Sequence, residues 1–358
     1  MKNGLLITLF LLSTWTSAQV PHPSHRLAQW GIPPANYSGI TSLGDGRYAV
    51  VSDKESHEGF YLWTVEQDST SGDITYVQSQ GFVCHLPDTA SAQAISARDA
   101  EDVVYVPRRN TVFISGEGDQ EIAEYTLAGE PTGIQLEVPE QLKHIHNNYG
   151  FEALAYDTLR HRYYTCTENC LPSDGKVSRE GSDSTTLLRI QAFDDSLRAS
   201  LQWAYLLDMP QCGTKGRSYA HGVTALTALR DGSIAVLERE VHITQDYNKS
   251  RVWNRLYLIR PTAENAILPN SNTISARQQA LGKELLAEWN TRFTLFGDTW
   301  ANYEGMCLGK PTTDGRETLL MVSDSQGGLG VGPFRLKDWI RVFVLPTLRE
   351  TTNETKAP

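Results

Sequence analysis

Five times this chain sets an apolar run behind a polar or acidic residue, turns within a few positions, and returns as a second run that ends on an acid. The fullest copy spans Tyr149 to Asn169: residues 152–157 form one apolar run, and residues 162–168, rich in Tyr and Thr, form the second. Alternation and β-branched or aromatic content make each pair a β-hairpin. The other copies run from Tyr37 to Asp53, Ala100 to Glu117, Ala220 to Glu238 and Tyr303 to Asp324. Three have turn signals between the strands: Gly44-Asp-Gly46, Asp231-Gly232 and Asp314-Gly315.

Most hairpins are followed by two further strand candidates. Third strands fall at residues 59–65, 121–127, 185–193, 251–259 and 339–345, and fourth strands at 74–83, 133–138, 201–208 and 284–289. The fifth copy has no fourth strand of its own, and residues 26–30 are placed to supply it. Four-stranded repeats closed by an N-terminal strand predict an all-β chain folded as a five-bladed β-propeller. A sixth, degenerate blade inside the long fourth repeat is the alternative.

The first residues combine Lys2, an apolar run from Leu5 to Leu12 and the small-residue site Thr16-Ser17-Ala18. They read as a secretory signal peptide over residues 1–18, predicting a secreted or periplasmic protein cleaved near Ala18. The propeller would then occupy residues 19–346, with a disordered tail over 347–358. A net charge of −10 with no long basic run argues against nucleic acid as a partner. No second apolar segment suggests a membrane span, and the chain is expected to be a monomer. Of the five cysteines, Cys84, Cys166 and Cys307 fall in strand patterns as small hydrophobes, while Cys170 and Cys212 lie in loops and are predicted to form a disulfide.

Smaller signals read as surface structure. The His144-x-His146 pair lacks a third ligand nearby and reads as a connector. Residues 172–184 are a polar insertion. Residues 274–288 have helix-forming composition. The glycine-rich stretch Gly327 to Gly332 lacks the Lys-Ser/Thr of a phosphate loop. Sequons stand at Asn36, Asn248 and Asn353.

In a propeller the first strands line the central channel, and hairpin geometry puts their starts beside the ends of the second strands. The starts are Ser38, Glu101, Glu152, His221 and Glu304; the ends are Asp53, Glu117, Glu168, Glu238 and Asp324. One channel mouth should therefore carry a ring of carboxylates. Hard oxygen ligands at this density suit Ca²⁺, which would hold and polarise an anionic group. In a second reading each acid accepts backbone N–H bonds from the neighbouring blade, with Lys54 and Arg239 compensating the charge. His221 interrupts the acidic pattern and is a candidate for chemistry.

At these motifs the chain resembles the secreted phytase-like family of esterase-like propellers. The resemblance rests on Gly150-Phe-Glu-Ala-Leu-Ala-Tyr-Asp157 with Thr167-Glu-Asn169, on Ala235-Val-Leu-Glu-Arg239, and on Asn302-Tyr-Glu-Gly-Met306 with Thr318-Leu-Leu-Met-Val-Ser-Asp324. It implies hydrolysis of phosphate or other esters of a small molecule, with Ca²⁺. Glu101, Glu152, Glu168, Glu304 and Asp324 would be the metal ligands, and His221 and Arg239 the acid/base and anion-holding residues. The rival expectation is a non-catalytic propeller that binds a sugar, a peptide or a protein at the same mouth.

Overall fold

The computed structural model describes residues 21–346 apart from 56, 85–97, 147, 268–273, 275–279, 294–299, 329 and 332–333. Its strands form five four-stranded antiparallel sheets, each one blade. Blade one is β2 (Tyr37–Gly44), β3 (Arg47–Ser52), β4 (Gly59–Gln67) and β5 (Ile74–Cys84). Blade two is β6 (Ala100–Val106), β7 (Thr111–Gly116), β8 (Ile122–Thr126) and β9 (Pro131–Gln135). Blade three is β10 (Phe151–Asp157), β11 (Arg162–Thr167), β12 (Thr186–Phe193) and β13 (Ala199–Leu207). Blade four is β14 (Ser218–Ala228), β15 (Ile234–Ile243), β16 (Arg251–Ile259) and β17 (Lys283–Thr291). Blade five is β18 (Asn302–Leu308), β19 (Thr318–Asp324), β22 (Trp339–Val344) and, from the other end of the chain, β1 (His25–Arg26). A short hairpin, β20 (Gly330–Val331) with β21 (Phe334–Arg335), stands off the last blade.

Closure follows the predicted route over a shorter span. His25 pairs with Ile340 and Arg26 with Trp339, but residues 27–30 coil into a 3₁₀ turn ended by Gly31 at φ 76°. The chain before β1 adds to the seam: His22 N–H donates to Val342 O at 2.9 Å, and Arg341 donates to the carbonyls of Pro21 and His22. This seam removes the free edge of blade five.

The inner strands of each blade are buried on both faces, and period-two alternation sends neighbouring residues into different cores. Val50 packs with Leu320 and Ile340 between blades five and one, whereas Ala49 and Val51 pack with Val103 and Ile114 between blades one and two. Blades two and three share Phe113, Leu154 and Tyr163. Blades three and four share Trp203 and Val236, and blades four and five share Leu237, Tyr303 and Met321. Each of the five interfaces has its own core, with a second cluster of Val241, Val252, Trp300 and Leu336 near the mouth between blades four and five, so the ring is held by sheet-face packing all the way round.

Two expectations change here. The helix expected over residues 274–288 is overruled where it is described: Lys283–Thr291 is β17, paired along its length with β16, so tertiary pairing outweighs helix propensity. Cys170 and Cys212 form no disulfide; all five cysteines are free. The Cys212 thiol turns to its own loop and donates to Thr214 O at 3.2 Å, while the Cys170 N–H is tied to Asn169 Oδ1 at 2.9 Å. The signal peptide, the tail and most of the 88–99 connection lie outside the described residues. Among the described residues no helix is long and apolar enough to cross a membrane.

Candidate metal centre at the channel mouth

The hairpins β2–β3, β6–β7, β10–β11, β14–β15 and β18–β19 share a feature that the sequence did not reveal. Each first strand carries a bulge, at Ser38, Glu101, Glu152, Thr224 and Glu304 respectively, near the strand's start in every blade but the fourth. A bulge inserts one unpaired residue and re-aims its side chain. Opposite the residue before each bulge stand Ser52, Gly116, Thr167, Glu238 and Ser323. The next residue after each of these is therefore Asp53, Glu117, Glu168, Arg239 or Asp324, and the first four line the mouth.

This register corrects the assignment in blade four. His221 and Glu238 are not the counterparts of Glu152 and Glu168; Thr224 and Arg239 are. The segment Ala220-His-Gly-Val imitates the Phe151-Glu-Ala-Leu pattern, but β14 begins at Ser218, so the bulge falls three residues later. Thr224 Oγ1 donates to Tyr303 O at 3.2 Å across to blade five. Glu238 turns away from the mouth and joins blades three and four, accepting from Tyr205 Oη and Lys283 Nζ, each at 2.6 Å. Backbone approach along the axis is close. A Cβ on Gly39 would stand 2.6 Å from Asp102 Cα, and one on Gly222 would stand 2.1 Å from Glu168 O.

The mouth is a cavity of about 500 Å³. Seven carboxylates line it (Asp53, Asp99, Glu101, Glu117, Glu152, Glu168 and Glu304), against three cations, Lys54, Arg179 and Arg239. Ligand atoms of Glu101, Glu117 and Glu152 lie within 4.8 Å of one another, as do those of Asp53, Asp99 and Glu101. Glu101 and Glu152 are more than nine-tenths buried, and among the described residues neither makes a side-chain hydrogen bond or ion pair. Their carboxyls are pushed well above the usual range, first by burial and then by neighbouring acids.

The far side of the mouth is different. Arg239 Nη2 lies 2.8 Å from Glu304 Oε1 and 3.2 Å from Glu168 Oε1. Asn302 Nδ2 also donates to Glu304 Oε1 at 2.8 Å. Burial still raises both carboxyls, while Arg239 opposes the rise. Glu168 Oε1 lies outside hydrogen-bond geometry and keeps no such partner. Asp324 sits one layer behind, fully buried, with its carboxylate held by Gln326 N–H at 2.7 Å and by the Gln326 side chain.

His221 does not line the cavity. It is buried with Nδ1 at 2.8 Å from Ser178 Oγ, and its carbonyl accepts from Asn169 Nδ2 at 2.7 Å. Burial, then the nearby Arg255 and Arg239, lower its pKa to about 3, so the ring is neutral. Asp102 ties blades two and three, accepting from Val103 and Leu154 N–H at 2.8 Å each. The other motifs stay outside the mouth. Exposed His144 pairs with Glu140 at 3.6 Å. Asn36 is buried and accepts from Ser325 Oγ and Gly327 N–H, so that sequon is structural; Asn353 lies outside the described residues.

A residue set at five equivalent bulges around an acidic axial cavity defines the class, a five-bladed propeller with an acidic mouth. The chain belongs to the phytase-like family, described as esterase-like activity of phytase, whose match covers residues 32–326. That membership places it among hydrolase-type propellers. None of the curated proteins compared matches it. Among solved structures it is similar to an endo-arabinase from Bacteroides thetaiotaomicron, with 13% identity over 92% of this chain and 97% of that one, TM-score 0.40. It is also similar to a streptogramin B lyase, with 13% identity over 90% and 96%, TM-score 0.34. A periplasmic gluconolactonase from Pseudomonas aeruginosa matches with 14% identity over 87% and 74%, TM-score 0.32. At TM-scores this low the likenesses decide nothing about chemistry.

Proposed function

We propose that the protein is a secreted hydrolase of phosphate or carboxylic esters, working at the acidic mouth with one Ca²⁺ on Glu101, Glu117 and Glu152. The observation that carries this reading is the pair Glu101 and Glu152: two buried carboxylates, close together and, among the described residues, without a hydrogen-bond or ion-pair partner. Leaving such groups unpaired is costly, and a hard divalent cation with oxygen ligands relieves the cost. When bound there, Ca²⁺ supplies polarisation of the ester oxygen.

The chain's own groups take the remaining roles. Lys54 and Arg179 stand at the cavity wall where an anionic substrate enters. Arg239 holds Glu168 and Glu304 in place. Glu168, which lines the cavity and whose carboxyl burial raises to about 7 against the pull of Arg239, is the candidate general base toward water. His221 supports this wall from behind through Ser178 and Asn169; its distance from the cavity gives the proton-transfer role to Glu168.

Hydrolysis of an aryl phosphate and an aryl carboxylic ester, with Ca²⁺ and with chelator, tests the reading. Turnover of one of them should need Ca²⁺ and fall by about 10²–10⁴-fold in Glu168→Gln, the range for loss of a general base. Chelator-resistant turnover would contradict it. Absence of turnover on either ester would favour the binding propeller.

A further inference from the structure

The mouth contains two overlapping trios of acids, and they share Glu101. Two cation positions joined by a bridging carboxylate is the layout of two-metal hydrolytic centres. Here the two positions differ. The position among Glu101, Glu117 and Glu152 faces no protein cation at bonding distance. At the other, the Lys54 ammonium bonds Asp53 and lies 3.4 Å from Asp99 Oδ1.

A second, independent observation marks this position as built for a cation larger in charge than an ammonium. Asp53 is more than nine-tenths buried, and its Oδ1 has no hydrogen-bond partner although its other oxygen holds Lys54. An ammonium offers three directed donors, and they leave this oxygen unmet. The Lys54 side chain is 62% exposed and is held by Asp53 and Asp99. It also stands where the mouth opens into a second groove of about 750 Å³ between blades five and one.

Resting on the reading of the mouth as a cation site, we propose that Lys54 is a tethered stand-in for a second divalent cation. It keeps the centre mononuclear, and a compact anionic group such as a phosphomonoester is held between the bound metal ion and the Lys54 ammonium. The consequence is a stoichiometry set by one exposed side chain. Removing the ammonium frees Asp53, Asp99 and Glu101 for another ion.

Calorimetric titration of metal-free protein with Ca²⁺ tests this, using the wild type, Lys54→Ala and the charge-retaining Lys54→Arg, with unfolding scans confirming that each is folded. The expected stoichiometries are one, two and one. One ion in both the wild type and Lys54→Ala overturns the role of Lys54 and leaves the Glu101–Glu117–Glu152 site standing. Two ions in the wild type overturn it as well. No ion in the wild type with one in Lys54→Ala supports the stand-in role and removes the first site. No ion in either removes both.

Discussion

On one side the mouth carries its own counter-charge: Arg239 of blade four sits between Glu168 of blade three and Glu304 of blade five, and Asn302 adds a further donor. On the other side, Glu101 of blade two and Glu152 of blade three are equally buried and, among the described residues, make no side-chain hydrogen bond or ion pair. Both halves are made from the same bulged hairpin. One residue separates them, an arginine where the other four blades place an acid. The comparison shows that propeller geometry supplies positions, and that the residue at one position decides whether neighbouring acids are structural or free to take a ligand.

The largest effect should come from removing what neutralises the first half. Arg239→Ala strands Glu168 and Glu304 without a cation and should cost about 3–5 kcal/mol, the range for breaking a buried pair from one side. Urea unfolding at neutral pH would read it as a lowered midpoint with an unchanged slope. A loss below about 1 kcal/mol, as for an exposed pair, would erase the difference between the halves.

The second half should respond in the opposite direction. In chelator, Glu152→Gln removes an uncompensated buried charge and should stabilise the fold by roughly 1–3 kcal/mol. The sign depends on pH. The Glu152 carboxyl is raised in the folded chain, so the folded state keeps a proton that the unfolded state has released. Its contribution is fully present below the ordinary carboxylate range and is lost as pH rises through the folded value. The variant's advantage should therefore be small near about pH 5 and grow toward about pH 8. A constant gap would mean that the charge of Glu152 is already balanced.

At neutral pH the smallest effect lies behind the wall. His221 titrates at about 3 in the folded chain because burial and two arginines disfavour its charge. The unfolded state takes up a proton below about pH 6.5, so His221 makes stability fall as pH drops from there toward about 3, by at most about 1.4 kcal/mol per pH unit. His221→Asn should flatten that part of the profile. An unchanged acid limb would show that the ring is protonated in place.

Most of the fold was legible because each hairpin repeats its own apolar alternation, which survives loops of any length. The closing strand was legible from a count, four strands per blade and one missing, although only His25 and Arg26 pair. The ring was legible in outline, since Glu101, Glu152 and Glu304 each open a strand. The bulge was not legible, because one inserted residue leaves no mark on composition. In blade four it shifted the reading from Thr224 and Arg239 to His221 and Glu238. Asp99 was hidden in a polar connector, where nothing marks one aspartate from another; it is placed by its left-handed backbone at φ 56° and by its carbonyl accepting from Glu117 N–H. The Cys170–Cys212 pairing failed because loop position says nothing of where two thiols point.

The asymmetry of the mouth is tested most directly by measuring Ca²⁺ affinity in two matched variants, Glu152→Gln and Glu304→Gln, by calorimetry at one ionic strength. Both remove one buried negative charge from the same cavity. Loss of binding in Glu152→Gln, with affinity in Glu304→Gln within about tenfold of the wild type, roughly 1.4 kcal/mol, is the predicted result. Equal loss in both, or loss in Glu304→Gln alone, would contradict it.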